Sequence, residues 1–90
     1  MIRVIAVYTE APDPARYEQH VELCRAVPGA TFRHGKVLRT LSGEPVLQYY
    51  AEFEFPDMDT FQAAGSALGA AGKDAAEMGV AHAVHLVEVD

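Results

Sequence analysis

His20 and Cys24 are the two residues of the sequence best suited to chemistry, and they lie four positions apart. A helix brings side chains at this spacing onto one face, so the imidazole and the thiol can approach each other. A neutral imidazole that faces a ligand can move a proton near neutral pH. We therefore take His20 as the candidate general acid or base. The alternative is a core histidine that is satisfied by one hydrogen bond.

Cys24 has two interpretations. An imidazolium beside it would favour the thiolate, which could then act as a nucleophile. A buried free cysteine more commonly behaves as a small hydrophobe, and nothing else in the sequence suggests an activated thiol. We expect Cys24 to line a ligand pocket.

Aromatic side chains are candidates for the wall of that pocket, because ligand pockets are mostly apolar with a few polar groups. A phenolic hydroxyl would supply a hydrogen bond to an oxygenated ligand. The alternative is packing, since a chain with eight aromatic residues and no tryptophan must use several of them in its core. The residues that we predict to bind a ligand, with Cys24, are Tyr17, Phe32, Tyr49 and Phe53.

The remaining ionisable residues do not suggest a metal or cofactor site. His82 and His85 are three positions apart, and a strand sends such a pair to opposite faces. A zinc site needs three or four ligands, and the chain has a single cysteine. We expect no metal and no cofactor. A haem held by one histidine stays open as an alternative, although nothing in the sequence supports it. Glu52 and Glu54 could act as an acid and a base, but the outer face of a sheet explains them more simply.

The first half of the chain predicts a strand, a helix and a second strand. Ile2 to Tyr8 is apolar on both faces, which is typical of a central strand. Asp13 and Pro14 then predict the start of a helix that runs to about Val27, where a Pro-Gly pair stops it. The predicted buried stripe of this helix places His20 on or beside the core, and its members are Tyr17, His20, Val21, Cys24 and Val27.

A hairpin is predicted next. Its strands are Thr31–Thr40 and Val46–Phe55, joined by a turn at Ser42–Pro45. The second of these strands alternates, and the side chains expected to face the helices are Leu47, Tyr49, Ala51, Phe53 and Phe55.

A second helix is predicted to begin after Asp57, with an inner stripe that consists of Met58, Phe61, Gly65 and Leu68. Each glycine weakens a helix by about 1 kcal/mol relative to alanine. The glycines of this stretch therefore predict a break near Gly69–Lys73, followed by a short third helix. The small residues also leave room above the sheet. A last strand is expected at Ala81–Val89.

This order predicts one domain over residues 1–90 with the ferredoxin-like βαββαβ fold, in which an antiparallel four-stranded sheet carries its helices on one face. The other face is left uncovered. We expect it to carry Tyr50, with Val84 or His85 and Val4 or Ile5. Such a face is too apolar to remain in water, so a homodimer packed sheet to sheet is predicted.

Composition excludes other classes of function. The formal net charge is −6 with seven Lys and Arg, so nucleic acid would be repelled. No apolar stretch reaches membrane-spanning length. One cysteine cannot form an intrachain disulfide, which agrees with a reducing compartment. We therefore expect a cytoplasmic protein that binds neither nucleic acid nor membranes.

The run from His20 to Gly29, HVELCRAVPG, resembles the EthD-type signature of the dimeric α/β-barrel superfamily. That signature has a helical histidine, a leucine three residues later and a Pro-Gly stop. The segments MIRVIAVY, AEFEFPDMDTFQAA and AAEMGVAHAVHLVEV resemble the same family in the same order. One position departs from the pattern, because Glu22 stands where the family usually has proline.

The resemblance implies a dimer that acts on a small apolar or aromatic molecule. The wider superfamily includes lactone isomerases, cofactor-independent monooxygenases, polyketide cyclases and haem-degrading enzymes. We expect cofactor-independent isomerase, cyclase or monooxygenase chemistry with His20 as general acid or base. The alternative is a non-catalytic homodimer that holds a small hydrophobic ligand, and the sequence leaves open whether the chain is an enzyme.

Overall fold

The computed structural model describes all of residues 1–90. Four strands and three helices follow in the order β1 (Ile2–Tyr8), α1 (Pro14–Arg25), β2 (Thr31–Lys36), β3 (Tyr49–Phe55), α2 (Met58–Ala63), α3 (Gly65–Glu77) and β4 (His82–Glu88). All strand pairs are antiparallel, and the order across the sheet is β2-β3-β1-β4. The ferredoxin-like fold and the central position of β1 are confirmed.

The register of the sheet separates its two faces. Val4 lies opposite Phe53 on one side and Leu86 on the other, and these side chains share the face that the helices cover. Ile5 lies opposite Glu52 and His85 on the other face. Of the alternatives that the sequence left, the uncovered face therefore carries Ile5 and His85, together with Tyr50. We call this surface the open face.

The core lies between the covered face of the sheet and the helices. Phe55 is 0% exposed, and its ring packs edge to face against Phe61 of α2 at 5.7 Å between centroids. One cluster of buried side chains joins the end of the sheet where Ile2 pairs with Phe55 to α1 and α3, and it includes Val4, Cys24, Phe53 and Ala71. The second cluster joins the opposite end of the sheet, where Tyr8 pairs with Tyr49, to α1, and it includes Ala6, Tyr8, Tyr17 and Val21.

Helix α1 begins as the sequence predicts. The Asp13 carboxylate accepts a hydrogen bond from the Arg16 N–H at 3.0 Å, and Pro14 is the first helical residue. The helix ends at Arg25, two residues before the predicted end. Gly29 then turns the chain with a φ of +75°. A Cβ there would lie 2.5 Å from the Thr60 methyl group, so the turn also needs glycine for its close approach to α2.

The predicted hairpin strands are too long. They end at Lys36 and begin at Tyr49, and Val37–Gln48 is a loop in place of the predicted turn. Leu38 and Leu41 are 93% and 83% exposed. The physical reason is the end of β1 at Tyr8, the partner of Tyr49. Beyond it no third strand continues the sheet beneath the hairpin, so alternating side chains there have no core to enter.

The predicted break at Gly69–Lys73 is also wrong. Helix α3 passes through it without interruption, and the chain breaks earlier, at Ala64 between α2 and α3. Ala64 is 1% exposed and packs in the core, as do Ala71 and Ala75 of α3. This packing outweighs the intrinsic cost of the glycines. In the predicted inner stripe, Met58 is 40% exposed and does not belong to the core.

No helix of the protein combines the length and the apolar character that crossing a membrane requires.

Candidate ligand-binding cavity

A cavity of about 420 Å³ lies between α3 and the covered face of the sheet. Most of its wall is apolar. The sheet contributes Val4, Ala6 and Phe53 from its centre, and α2 contributes Phe61. Its volume is within the range of small-molecule sites, which are concave, mostly apolar and equipped with few polar groups.

Glycines on α3 make the room for this cavity. Gly65, Gly69 and Gly72 all line it, and their spacing of four and three residues places them on one side of the helix. A Cβ built on any of the three would have no atom within 4 Å. Larger side chains at these positions would project into the space above the sheet. The prediction that small residues leave room there agrees with this arrangement, although the helix does not break.

The cavity opens along β4. Val84 and Leu86 line it, and each is 53% exposed although both lie on the covered face. Strand β4 is an edge of the sheet, so no further strand closes this side. A small molecule can therefore reach the cavity between β4 and α3.

His20 lies in the wall of the cavity and is 5% exposed. Its Nδ1 is 2.8 Å from Oδ2 of Asp74 in α3, and its Nε2 is 3.4 Å from Sγ of Cys24. The imidazole is thus hydrogen-bonded at both nitrogens. Its imidazole could exchange a proton with a ligand in the cavity, and a carboxylate is hydrogen-bonded to the other side of the ring.

Asp74 is a residue that the sequence analysis missed. Arg16 donates two hydrogen bonds to its carboxylate, from Nη2 to Oδ1 at 2.6 Å and from Nη1 to Oδ2 at 3.0 Å. Hydrogen bonding by Arg16, and then by His20, holds the pKa of Asp74 below its ordinary value. One signal was available, because Asp74 is the only carboxylate in the small-residue stretch between Thr60 and Ala76. Glu22, the position that departs from the family pattern, is exposed.

Cys24 also lines the cavity and is 2% exposed. Burial, and then the negative charge of Asp74, raises the pKa of its thiol to about 12. The thiol therefore stays protonated at neutral pH and can donate a weak hydrogen bond to Nε2 of His20. These properties favour the interpretation as a small wall residue over that as a thiolate nucleophile.

Of the four aromatic residues predicted to bind a ligand, one lies in the cavity wall. Phe53 lines the cavity, whereas Tyr17, Phe32 and Tyr49 do not. They form an aromatic group with Phe53 beside it: Tyr17 is 5.2 Å from Tyr49, and Phe32 is 5.0 Å from Phe53, between ring centroids. The Tyr17 hydroxyl is buried without a hydrogen-bond partner. Ligand binding by these three side chains stays a prediction.

Tyr8 is a second residue of the cavity wall that the sequence analysis did not single out. It is 1% exposed, and burial raises the pKa of its hydroxyl to about 12. His82 stacks on its ring at 5.4 Å, and the His82 Nδ1 is 2.9 Å from the Val80 carbonyl. The alternation of β1 placed Tyr8 on the covered face, but only the three-dimensional structure shows that this face borders a cavity.

Glu52 and Glu54 lie outside the cavity, on the open face. Arg33 is 3.1 Å from Glu52, and Arg3 is 2.9 Å from Glu54. A hydrogen bond from the Tyr50 hydroxyl is the main cause that lowers the pKa of Glu52. Both carboxylates are therefore parts of an ion-pair network and not an acid and base pair at the cavity. No three His, Cys, Asp or Glu side chains lie close enough together to hold a metal ion.

Comparison with solved structures connects this fold to known proteins. An EthD family protein from Bacillus halodurans superposes with a TM-score of 0.79 at 22% sequence identity, over 100% of this chain and 99% of that one. A dimeric ferredoxin-like protein of unknown function from Jannaschia superposes with a TM-score of 0.74 at 19% identity, over 98% of each chain. The likeness therefore extends over the whole fold.

A third similar structure has a described activity. SnoaB, a cofactor-independent oxygenase from Streptomyces nogalater, superposes with a TM-score of 0.59 at 17% identity, over 98% of this chain and 91% of that one. No family model and no curated protein matches the sequence. At these identities the comparisons establish the fold. The chain thus has the ferredoxin-like fold of these proteins, as the resemblance of its segments implied.

Proposed function

We propose that the protein is a homodimeric, EthD-like protein that binds a small apolar or aromatic molecule in the cavity and uses His20 as general acid or base. The observation that carries the proposal is the position of His20 in the wall of a cavity of about 420 Å³. A histidine sealed in a dry contact could not reach a ligand. Access to a small molecule is what general acid–base chemistry requires.

The wall restricts the class of ligand. Most of the lining side chains are apolar. The polar ones are Tyr8, His20, Cys24 and His85. A charged ligand would lose its hydration without a countercharge. The favoured ligand is an uncharged ring or chain with one oxygen or acidic C–H near the imidazole. Isomerisation, cyclisation or cofactor-independent oxygenation of such a molecule fits this setting.

The homodimer belongs to the same proposal. The open face carries Ile5, Val7 and Val87 and has no helix to cover it. Similar structures from Jannaschia and Thermobifida fusca are described as dimeric ferredoxin-like proteins. A second copy packed against the open face would remove its apolar side chains from water and enlarge a core that is small in a chain of 90 residues.

One observation favours the alternative function, a binding protein without turnover. Both ring nitrogens of His20 already have partners, Asp74 and Cys24. An imidazole satisfied in this way can be a structural part of the cavity wall. The two functions predict the same ligand class and differ in whether His20 exchanges a proton with the ligand.

The test is a screen for binding followed by a test for turnover. Small lactones, phenols and aromatic ketones are added to the protein, binding is followed by NMR, and each binder is incubated and analysed by mass spectrometry and proton NMR. The proposal expects a binder that is converted by the wild type and is still bound but not converted by His20→Gln. Binding without conversion by either protein would support the alternative.

Gly69→Leu supplies the control for the site. Gly69 lines the cavity, and a Cβ built at this position has no atom within 4 Å. A leucine side chain therefore has room to project into the cavity. It should abolish binding of the same compound, whereas Ala70→Leu, at the exposed neighbouring position, should not. Unchanged binding to Gly69→Leu would place the ligand elsewhere and overturn the proposal.

A further inference from the structure

We propose that Asp74, held by Arg16, is a positioning residue that fixes the tautomer of His20 and thereby makes Nε2 the proton acceptor of the site. This inference rests on the proposed function and deepens it, because that proposal leaves open whether His20 first gives or first takes a proton. It also assigns a role to the Cys24 thiol, which occupies Nε2 until a ligand replaces it.

The carboxylate is fixed from both sides. Its Oδ1 accepts from Arg16 alone, and its Oδ2 accepts from Arg16 at 3.0 Å and lies 2.8 Å from His20 Nδ1. Arg16 and His20 are four residues apart on α1, so the same helical face carries both groups that hold Asp74. The carboxylate belongs to α3, which roofs the cavity. The two helices therefore position the imidazole jointly.

Hydrogen-bond chemistry then selects the tautomer. An ionised carboxylate only accepts hydrogen bonds, so His20 Nδ1 must carry the proton of this contact. In a neutral imidazole the other nitrogen, Nε2, has a lone pair and no proton. The one group seen at Nε2 is the Cys24 thiol, 3.4 Å away. A thiol is a weak donor and can be displaced by a stronger one.

The direction of the first step follows. A ligand that presents an O–H or an acidic C–H to Nε2 gives its proton to the lone pair, and its bonding electrons stay on the ligand as an enolate or phenolate. The imidazolium formed keeps its Nδ1–H bond to Asp74, whose negative charge stabilises the new positive charge. In an isomerisation the same proton returns from Nε2 to another atom of the ligand, so the step needs no oxidant or reductant.

The experiment is NMR of protein labelled with 15N in its histidines, with the His20 signals assigned through His20→Gln. For the neutral ring of the wild type, the inference expects a proton on Nδ1 and an unprotonated Nε2. Asp74→Asn removes the ionised acceptor and should convert this single tautomer into a mixture or into the Nε2–H form. A proton on Nε2 of the neutral wild-type ring would overturn the inference whatever Asp74→Asn shows.

Two further variants separate positioning from folding. Glu77→Gln removes one carboxylate charge from the same helix at an exposed position and should leave the His20 tautomer unchanged. Cys24→Ala removes the partner of Nε2 and should also leave Nδ1 protonated, because Asp74 and not the thiol fixes the ring. A change of tautomer in Cys24→Ala would transfer the role to Cys24 and contradict the assignment.

With a converted ligand in hand, Asp74→Asn should lower kcat by about 100-fold or more with little change in KM, the size expected when general base catalysis is lost. The two proposals fail in different ways. A fixed Nδ1–H tautomer with no convertible ligand would leave the positioning intact and defeat the catalytic function. A converted ligand together with a mixed tautomer in the wild type would defeat the positioning alone.

Discussion

His20 and Asp74 meet across the two long helices of the fold, with 2.8 Å between Nδ1 and Oδ2 although 54 positions separate them in the sequence. Arg16 joins the same carboxylate from one helical turn before His20. The contact thus ties α1 to α3 at the edge of a largely apolar cavity. Because ionic hydrogen bonds in partly buried surroundings are stronger than neutral ones, this contact contributes to the fold as well as to the site.

Asp74→Asn should lower the free energy of unfolding at pH 7 by about 1–3 kcal/mol, the range for hydrogen bonds to charged groups. Because Arg16 and then His20 lower the pKa of Asp74 in the folded state, its stabilising effect is complete above the ordinary carboxyl pKa of about 4 and is lost as the pH falls through the lowered value. Urea unfolding of both proteins between neutral and acidic pH measures the effect. The difference in free energy of unfolding between wild type and Asp74→Asn should shrink in acid. Glu77→Gln should differ less from the wild type at every pH.

The Cys24 thiol should titrate far above neutral pH. Its pKa is raised from 9.0 to about 12, first by burial and then by Asp74, so the thiolate absorbance of the folded protein should appear only as the pH approaches that value. Since the folded pKa lies above the unfolded one, the thiol stabilises the fold below pH 9, and this stabilisation is lost as the pH rises towards 12. Iodoacetamide should label Cys24 slowly at pH 8. Fast labelling of the folded protein would show that the thiol is activated after all.

Gly72→Ala and Gly29→Ala should act in opposite directions. At Gly72 a Cβ meets no atom within 4 Å, so alanine should raise the free energy of unfolding by up to about 1 kcal/mol through helix propensity. At Gly29 the φ is +75° and a Cβ would lie 2.5 Å from Thr60, so alanine should lower it by about 1–2 kcal/mol or more. Thermal unfolding of both variants checks the pair. Destabilisation by Gly72→Ala would mean that α3 lies closer to the sheet than described.

Tyr17→Phe removes a buried hydroxyl that has no hydrogen-bond partner. The desolvation cost of such a group is about 1–3 kcal/mol, so the variant should unfold at least as high in denaturant as the wild type, and we expect it to be more stable. The ring contacts with Tyr8, at 6.0 Å, and with Tyr49 are kept by phenylalanine. A clear loss of stability would show that the hydroxyl has a partner, such as a bound water molecule or a ligand atom.

Ile5→Asp tests the dimer of the proposed function. Ile5 lies on the open face, so aspartate there should shift the protein to a monomer in analytical ultracentrifugation and lower its melting temperature. Leu23→Asp is the matched control, because Leu23 is an exposed apolar residue of α1. This control should leave the dimer intact. Equal sedimentation of wild type and Ile5→Asp as dimers would place the interface elsewhere.

Local sequence patterns predicted the parts of the fold that depend on local physics. The Asp13 cap and the alternation of Ala51, Phe53 and Phe55 are examples, because caps and strand faces follow from residues near in sequence. The approach of His20 to Cys24 followed in the same way from helical spacing. The confirmed fold class shows that these local signals were sufficient to order the elements.

The missed features depend on contacts between distant segments. Asp74 reaches His20 only after α3 has packed over the sheet, and no spacing in the sequence encodes that distance. The continuity of α3 through Gly69 depends in the same way on burial of Ala71 and Ala75. The extent of the hairpin was overestimated because the end of β1 at Tyr8, and not the composition of Val37–Gln48, determines where the sheet stops.

The ion pairs of the open face set a condition on whatever covers it. Arg3, Arg33, Glu52 and Glu54 sum to zero charge, so shielding them from water leaves no net charge behind. Each of these groups nevertheless keeps lone pairs or N–H bonds that need partners once water is gone. An entirely apolar partner surface would leave these groups without hydrogen-bond partners. The covering molecule must instead present polar groups to this patch and apolar groups to the surface beside it. That requirement favours one relative position of the two surfaces over positions shifted along the sheet.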